Sequence, residues 1–391
     1  MIRQVGIVLA LAATLTATDP KAAGVDLRRL NTIGERMQSY IDAGKVSGVV
    51  TLASRNGEVI HTSASGMVNV EDKTPMRADA IFQLMSMTKP FTAVAIMMLV
   101  EEGRLSLYDD VALHLPEFKG VKSSRPICIY DLLTHTSGMR NLPGGAMKTL
   151  PFKMDHTLAE AVTAYAKESL EFEPGTRVLY SNPGIATLGR IVEVVSGQPY
   201  EKFIETRILK PLGMNDTFFY PPSDKLSRIA LVYTHRGGKL VRLGPESLGG
   251  DPALYRRGAR YPAPEFGLFS TAADLSRFYQ MMLNRGEWKG ARVLSPASVD
   301  VMTAAQTDGL PRDSGRPGRD FGLSWEIVTK PVGTLALVPI GSYGHGGAYG
   351  TQVWIEPSRG LVLIFLIASD DGQEYSPRDA FLQIVNSSIL R

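Results

Sequence analysis

The chain has 391 residues, 44% of them hydrophobic, so it can bury a large core in one or two domains. Its 42 Lys and Arg are balanced by 39 Asp and Glu and are spread along the sequence, which excludes the basic stripe of a nucleic-acid binder. The single cysteine, Cys128, excludes an intramolecular disulfide and a CxxC site, and no HExxH is present to form a zincin centre.

Arg3, the apolar run Val5 to Ala17 and the polar TDPK that follows have the layout of a secretory leader, here assigned to residues 1–23. The run is too short to span a bilayer comfortably, so periplasmic or secreted localisation is expected. No clean A-x-A cleavage site is present, and an uncleaved anchor is the alternative.

Helical spacing of Leu27, Leu30, Ile33, Met37 and Ile41 predicts a helix over Leu27–Ala43. Two strands follow, Gly48–Ala53 and Val59–Ala64, with Asn56-Gly57 as the hairpin signal. Residues 86–102 are apolar nearly all round, which predicts a buried helix stopped by Gly103, with Pro90 tolerated in its first turn. Cys128, in the apolar stretch PICIYDLL, reads as a buried small hydrophobe. Further helices are predicted over Thr157–Lys167, Ile185–Ser196 and Thr271–Arg285, the last with Thr271 as N-cap. Late strands are expected over Gly322–Val328, Thr334–Val338, Tyr349–Glu356 and Gly360–Ala368, and a final helix over Arg378–Leu390. Strands at both ends with helices between them predict an α/β fold of the α+β type. It comprises a discontinuous domain, 24–103 plus 221–391, and a largely helical insertion, 104–220.

Three segments could carry chemistry. Ser86-Met87-Thr88-Lys89 sets a hydroxyl and an amine three residues apart at the head of the apolar helix, where burial can lower the amine's proton affinity. As a bare pattern SxxK also fits a capped surface helix, but a lysine opening an all-apolar helix does not suit a surface. Tyr180-Ser181-Asn182 follows the turn Glu173-Pro174-Gly175, and its tyrosine could move a proton while Asn182 orients lysine and substrate. Alone it reads equally as a loop tyrosine beside a capping residue. Gly344 to Gly350, GHGGAYG, offers backbone N–H groups to an oxyanion, or is simply a glycine-rich turn. No GxGxxG, Walker lysine or GxSxG elbow accompanies these segments.

In this order, and with the stretches IYDLLTHTSGM, FEPGTRVLYSNPGIATLGRIVEVVSGQPY, PLGMNDTFF, GLFSTAADLSRF and YGHGGAYGTQVWIEPSRGLVLIFL, the chain resembles the serine β-lactamase-like superfamily. The resemblance is to the branch holding class C β-lactamases, family VIII carboxylesterases and D-aminopeptidases, and it covers most of residues 30–390. It implies an antiparallel sheet flanked by helices, with an inserted all-helical domain. By similarity Ser86 is the acylated nucleophile, Lys89 the amine that activates it, and Tyr180 the group that carries the proton to the leaving group. Lysine and tyrosine would titrate as a coupled pair, so either can be the base. The resemblance further implies an oxyanion hole from the N–H groups of Ser86 and Ala348, and an acyl pocket lined by Asn182, His345, Gly346 and Gly347.

β-Lactamases of this branch carry Lys-Thr-Gly where this chain has His345-Gly346-Gly347. Loss of a fixed cation weakens recognition of a substrate carboxylate. A serine carboxylesterase acting on small acyl esters is therefore expected, with β-lactamase or D-amino-acid peptidase or amidase activity as alternatives. A cell-wall peptide or β-lactam binding domain without turnover is the non-enzyme reading. His135 is expected to be structural, and Asp109, Asp110 and Glu117 to lie on a solvated stretch. No cofactor or metal is implied, and the expected partner is a small ester or amide met by a monomer with no nucleic acid and no lasting membrane insertion. Loops 140–156, 236–266 and 308–320 are expected to wall the pocket.

Overall fold

The computed structural model describes residues 24–140, 154–244, 256–312, 317–371 and 376–390; the expected leader lies outside them. Among the described residues, no helix is long and apolar enough to cross a membrane.

The predicted first helix is divided into α1 (Leu27–Leu30), capped by Asp26, and α2 (Thr32–Asp42). Strands β1 (Gly48–Arg55) and β2 (Glu58–Asn69) form a hairpin whose Asn56 and Gly57 have φ of 51° and 87°. Two successive positive φ values match the right-handed twist of the strands, which is why the Asn-Gly pair was a hairpin signal. Short β3 (Thr74–Pro75) lies beside β2, and β4 (Phe82–Gln83) leads to the site.

Helix α3 (Lys89–Glu101) buries every residue from Lys89 to Leu99, as its unbroken apolar composition requires. It is followed by α4 (Val111–His114), α5 (Ile129–Leu133), α6 (Leu158–Tyr165), α7 (Asn182–Ser196) and α8 (Tyr200–Ile204). Thr157 closes a capping box with Glu160 on α6. Cys128 is only half-buried. It stands at the N-cap of α5, where its N–H donates to Asp131 Oδ2 at 2.8 Å, and capping holds it outside the core that its apolar flanks suggested. A small hairpin, β5 (Tyr233–Arg236) and β6 (Lys239–Arg242), precedes β7 (Phe269–Ser270), which pairs with β4. Helix α9 (Ala272–Leu283) starts at the predicted cap, Thr271, and is followed by β8 (Glu287–Trp288), β9 (Ala291–Arg292) and α10 (Pro296–Thr303).

Of the predicted strand 322–328 only β11 (Glu326–Val328) is a strand; residues 322–325 are the turn that joins it to β10 (Arg319–Phe321), with Ser324 at φ 62°. Residues 334–338 are not a strand: Gly333–Leu335 is a 3-10 turn, with Leu335 and Val338 buried and Leu337 exposed. Burial three residues apart is turn spacing, which a short apolar run cannot reveal. Strands β12 (Tyr343–Gly346), β13 (Gln352–Glu356) and β14 (Leu361–Ile367) follow, and α11 (Ser376–Ser388) closes the fold.

The main sheet has eight strands in the order β10-β11-β12-β13-β14-β1-β2-β3, each pair antiparallel. Its side chains alternate between two cores, as a pleated strand dictates. Val50 and Leu52 of β1 and Val362, Ile364 and Leu366 of β14 join a large core with α3, α7 and α9. Val49 and Ala53 of β1 and Leu361, Leu363 and Phe365 of β14 meet α1, α2 and α11 in a second core on the opposite face. The large core is continuous through α3 to α9, so the site lies on a packed body rather than on a loose loop cluster.

Candidate active site

Residues Met85–Thr88 form one turn of 3-10 helix that runs directly into α3. Residues three apart eclipse in such a turn. Ser86 and Lys89 are thereby stacked, with Lys89 Nζ 3.0 Å from Ser86 Oγ. The turn is entered through Met85, a buried non-glycine residue at φ 51°. A left-handed conformation at such a residue costs about 1–3 kcal/mol, and here it lies next to the proposed nucleophile.

Lys89 is fully buried, whereas Ser86 is half-buried and reachable. Nζ donates to Asn182 Oδ1 at 2.8 Å and to the main-chain oxygen of Glu265 at 2.9 Å. Both of those oxygens can only accept, while the serine hydroxyl can accept or donate. A charged Lys89 therefore satisfies three acceptors, and a neutral one keeps its two N–H bonds to Asn182 and Glu265 and turns its lone pair to Ser86. Burial pulls the Lys89 ammonium down to about 7, against the opposing charge of Glu265. The neutral, proton-accepting form is accessible near neutral pH.

Asn182 is the first residue of α7 rather than part of a segment preceding it, because Ser181 caps the helix with Oγ accepting from Gly184 N at 3.1 Å. Tyr180 precedes that cap and places its ring centroid 4.6 Å from Lys89 Nζ. His135 is fully buried and holds both neighbours of Tyr180: its carbonyl accepts from Leu179 N at 2.9 Å and its Nδ1 from Ser181 N at 3.2 Å. Its ring also lies 4.6 Å from that of Tyr180 and meets Phe321 edge-on. The residue predicted to be structural thus fixes the tyrosine in place.

The opposite wall is the β12–β13 connection. His345 and Gly346 belong to β12 rather than to a loop before a strand; Gly347–Gly350 make the turn, with Gly347 N bonded to Thr351 O and Gly350 at φ 86°. A Cβ on Gly347 would lie 2.2 Å from Leu84 O and 2.2 Å from Thr351 Oγ1. Glycine is required there because the turn presses on the main chain two residues before Ser86. Thr351 Oγ1 also donates to Leu84 O at 3.0 Å, tying the two walls together. Ala348 is exposed at the tip of this turn. His345 is buried; its Nδ1 donates to Gly346 O at 2.7 Å, and its ring lies 6.2 Å from Tyr180. Since that carbonyl can only accept, a neutral ring presents a lone pair at Nε2, which suits no carboxylate.

Of the expected pocket walls, residues 141–153, 245–255 and 313–316 lie outside the described part. The described remainder includes Glu265 under Lys89, and Pro311, whose carbonyl accepts from Val178 N at 2.8 Å beside the Tyr180 segment. Glu265 is the contact that sequence reading misses. An acid within the proline- and glycine-rich YPAPEFG reads as exposed loop, yet it is 1% exposed. Asp110 caps α4 and Asp109 pairs with His114, and among the described residues no group of His, Cys, Asp and Glu is arranged to hold a metal.

The family described as Beta-lactamase matches residues 31–385 of the chain. A Mycobacterium tuberculosis protein described as uncharacterized is 36% identical over 363 residues, 85% of this chain and 88% of that one. Esterase EstB of Burkholderia gladioli is 28% identical over 381 residues, covering 90% of this chain and 94% of its own. Among solved structures, that of EstCE1, described as a hydrolase with promiscuous acyltransferase activity, superposes with a TM-score of 0.77 at 25% identity. It covers 93% of this chain and 99% of that one.

Proposed function

Since the chain belongs to the Beta-lactamase family, we propose that it is a serine hydrolase that forms an acyl-enzyme at Ser86 and acts on esters of small carboxylic acids. The observation that carries this reading is the bonding of Lys89, which leaves Ser86 as the only one of its three partners able to give it a proton. In the proposed reaction Ser86 Oγ attacks the ester carbonyl as its proton passes to Lys89 Nζ, either directly or through Tyr180 OH. The N–H groups of Ser86 and Ala348 receive the oxyanion. The proton then goes to the departing alkoxide through Tyr180, and water enters by the reverse path to release the acid. Asn182, His345, Gly346 and Gly347 line the acyl side.

Two observations favour esters over β-lactams. Where the resemblance calls for a lysine to grip a carboxylate, the chain has His345 with its Nδ1 proton committed to Gly346 O. One full-length relative also bears the name esterase.

Turnover of p-nitrophenyl butyrate by wild type and Ser86→Ala tests the nucleophile, and nitrocefin in parallel tests the substrate class. We expect sustained ester turnover, a loss of about 10⁴-fold or more in the alanine variant, and slower nitrocefin hydrolysis. Equal rates for the two proteins would move the nucleophile elsewhere. A single burst of nitrophenol without further turnover would make the chain a binding domain, and faster nitrocefin hydrolysis would make it a β-lactamase.

A further inference from the structure

We propose that the Glu265 side chain is a positioning residue for the Ser86–Lys89 pair: a buried negative charge that governs how readily Lys89 gives up a proton. The inference rests on the serine hydrolase reading and adds a residue that the three motif segments do not contain.

The geometry is that of a carboxyl built into the floor of the site. Glu265 is 1% exposed and its own main-chain oxygen is 2.9 Å from Lys89 Nζ. Tyr261 OH donates to Glu265 Oε1 at 2.7 Å, while Oε2 is buried with no hydrogen-bond partner among the described residues. A carboxylate buried with one oxygen that no described residue hydrogen-bonds is costly, and a structural role would be met more cheaply by an apolar side chain. What the charge does there is act on its neighbours.

Those neighbours are few. The cations facing it are Lys89 and Arg256, and Arg256 is held by Phe219 O and by Tyr261 O, the latter at 3.2 Å. Among the described residues the other titratable groups there are Tyr261, Tyr165 beside it, Tyr200, whose hydroxyl pairs with Thr92 at 2.7 Å, and His156, stacked on Tyr261 at 4.6 Å. Burial pushes Glu265 up to about 7, and the hydrogen bond from Tyr261, then its own backbone and the Lys89 charge, act in the opposite direction. Glu265 in turn raises the proton affinity of Lys89 against burial. The two groups therefore titrate as a pair in the range where a hydrolase works.

Removing the anion lowers the proton affinity of Lys89. Since Lys89 must lose its proton to accept that of Ser86, the acidic limb of serine activation moves to lower pH. The test is the rate of fluorophosphonate labelling at Ser86, read by mass spectrometry across a pH series, for wild type, Glu265→Gln and Tyr261→Phe. This probe needs no choice of natural substrate. Glu265→Gln should move the limb down by about one pH unit. Tyr261→Phe removes the bond that keeps the carboxyl ionised and should move it the same way by less. A limb that superimposes on wild type, or moves to higher pH, in a folded variant overturns the proposal. Should Glu265→Gln not fold, Tyr261→Phe decides by the same criterion. A wild-type protein that is not labelled at Ser86 strikes the serine hydrolase reading itself, whereas labelling at Ser86 with an unmoved limb strikes the role of Glu265 alone.

Discussion

The two walls of the site are built on opposite principles. On one, Lys89 is sealed inside the protein and fixed by a hydrogen bond to Ser86 in the adjoining turn and by two to Asn182 and Glu265, far away in sequence. On the other, a turn of Gly347 to Gly350 packs on the main chain at Leu84, two residues before Ser86, with Ala348 open to solvent. In the proposed reaction the first wall would set the chemistry, because a buried amine loses its preference for the charged form. The second would set geometry and admit substrate, for which backbone N–H groups on a stiff turn are sufficient. Damage to the first should remove the reaction; damage to the second should change its rate and its choice of substrate.

The largest effect is expected from Lys89→Met, which keeps the apolar stem and removes the amine. Ester kcat/KM should fall by about 10³-fold or more with little change in melting temperature. In wild type the same amine, drawn down to about 7 by burial, must be neutral to take the serine proton. Protonation fills the lone pair, so kcat/KM should decline as pH falls below about 7 and level off above it. A profile flat from about pH 5 to about pH 9 would show that the dry wall does not set the chemistry.

An intermediate effect is expected from Gly347→Ala. The added Cβ meets Leu84 O and Thr351 Oγ1 at 2.2 Å, so the turn has to back away from Ser86. A displacement of about 1 Å at an oxyanion donor corresponds to about 10²-fold in kcat. Measuring kcat and KM separately checks this; a variant with wild-type kcat would mean that the turn is not part of the oxyanion hole.

The smallest effect is expected from His345→Lys. Ester turnover should change only a few-fold, while the ratio of nitrocefin to ester turnover rises by about tenfold as a cation replaces a committed imidazole. An unchanged ratio would separate this position from recognition of charge.

The same contrast explains what could be read from sequence. The meeting of Ser86 and Lys89 was legible because a lysine at the head of an otherwise apolar helix conflicts with its surroundings and needs a specific partner. Asn56-Gly57 and the cap Thr271 were legible because their signals are local. Glu265 was not, since its burial depends on Tyr261 and Lys89 meeting it in space, and nothing in YPAPEFG announces that contact. Residues 334–338 were misread because a short apolar run carries no period, and Cys128 because capping outweighed hydrophobicity. The side-chain bond of His345 was beyond reach for the same reason as Glu265: it is a matter of rotamer and register, which pairs Gly344 with Trp354 and His345 with Val353.

Strand β1 pairs on one side with β2, its neighbour in the chain, and on the other with β14, where Val49 faces Ile367. The chain must therefore be made through Ile367 before β1 gains its second partner and the sheet can close. Until then β1 is an open, apolar edge able to pair with another nascent chain. A truncation that removes β14 is therefore expected to aggregate, read as loss of soluble protein on expression.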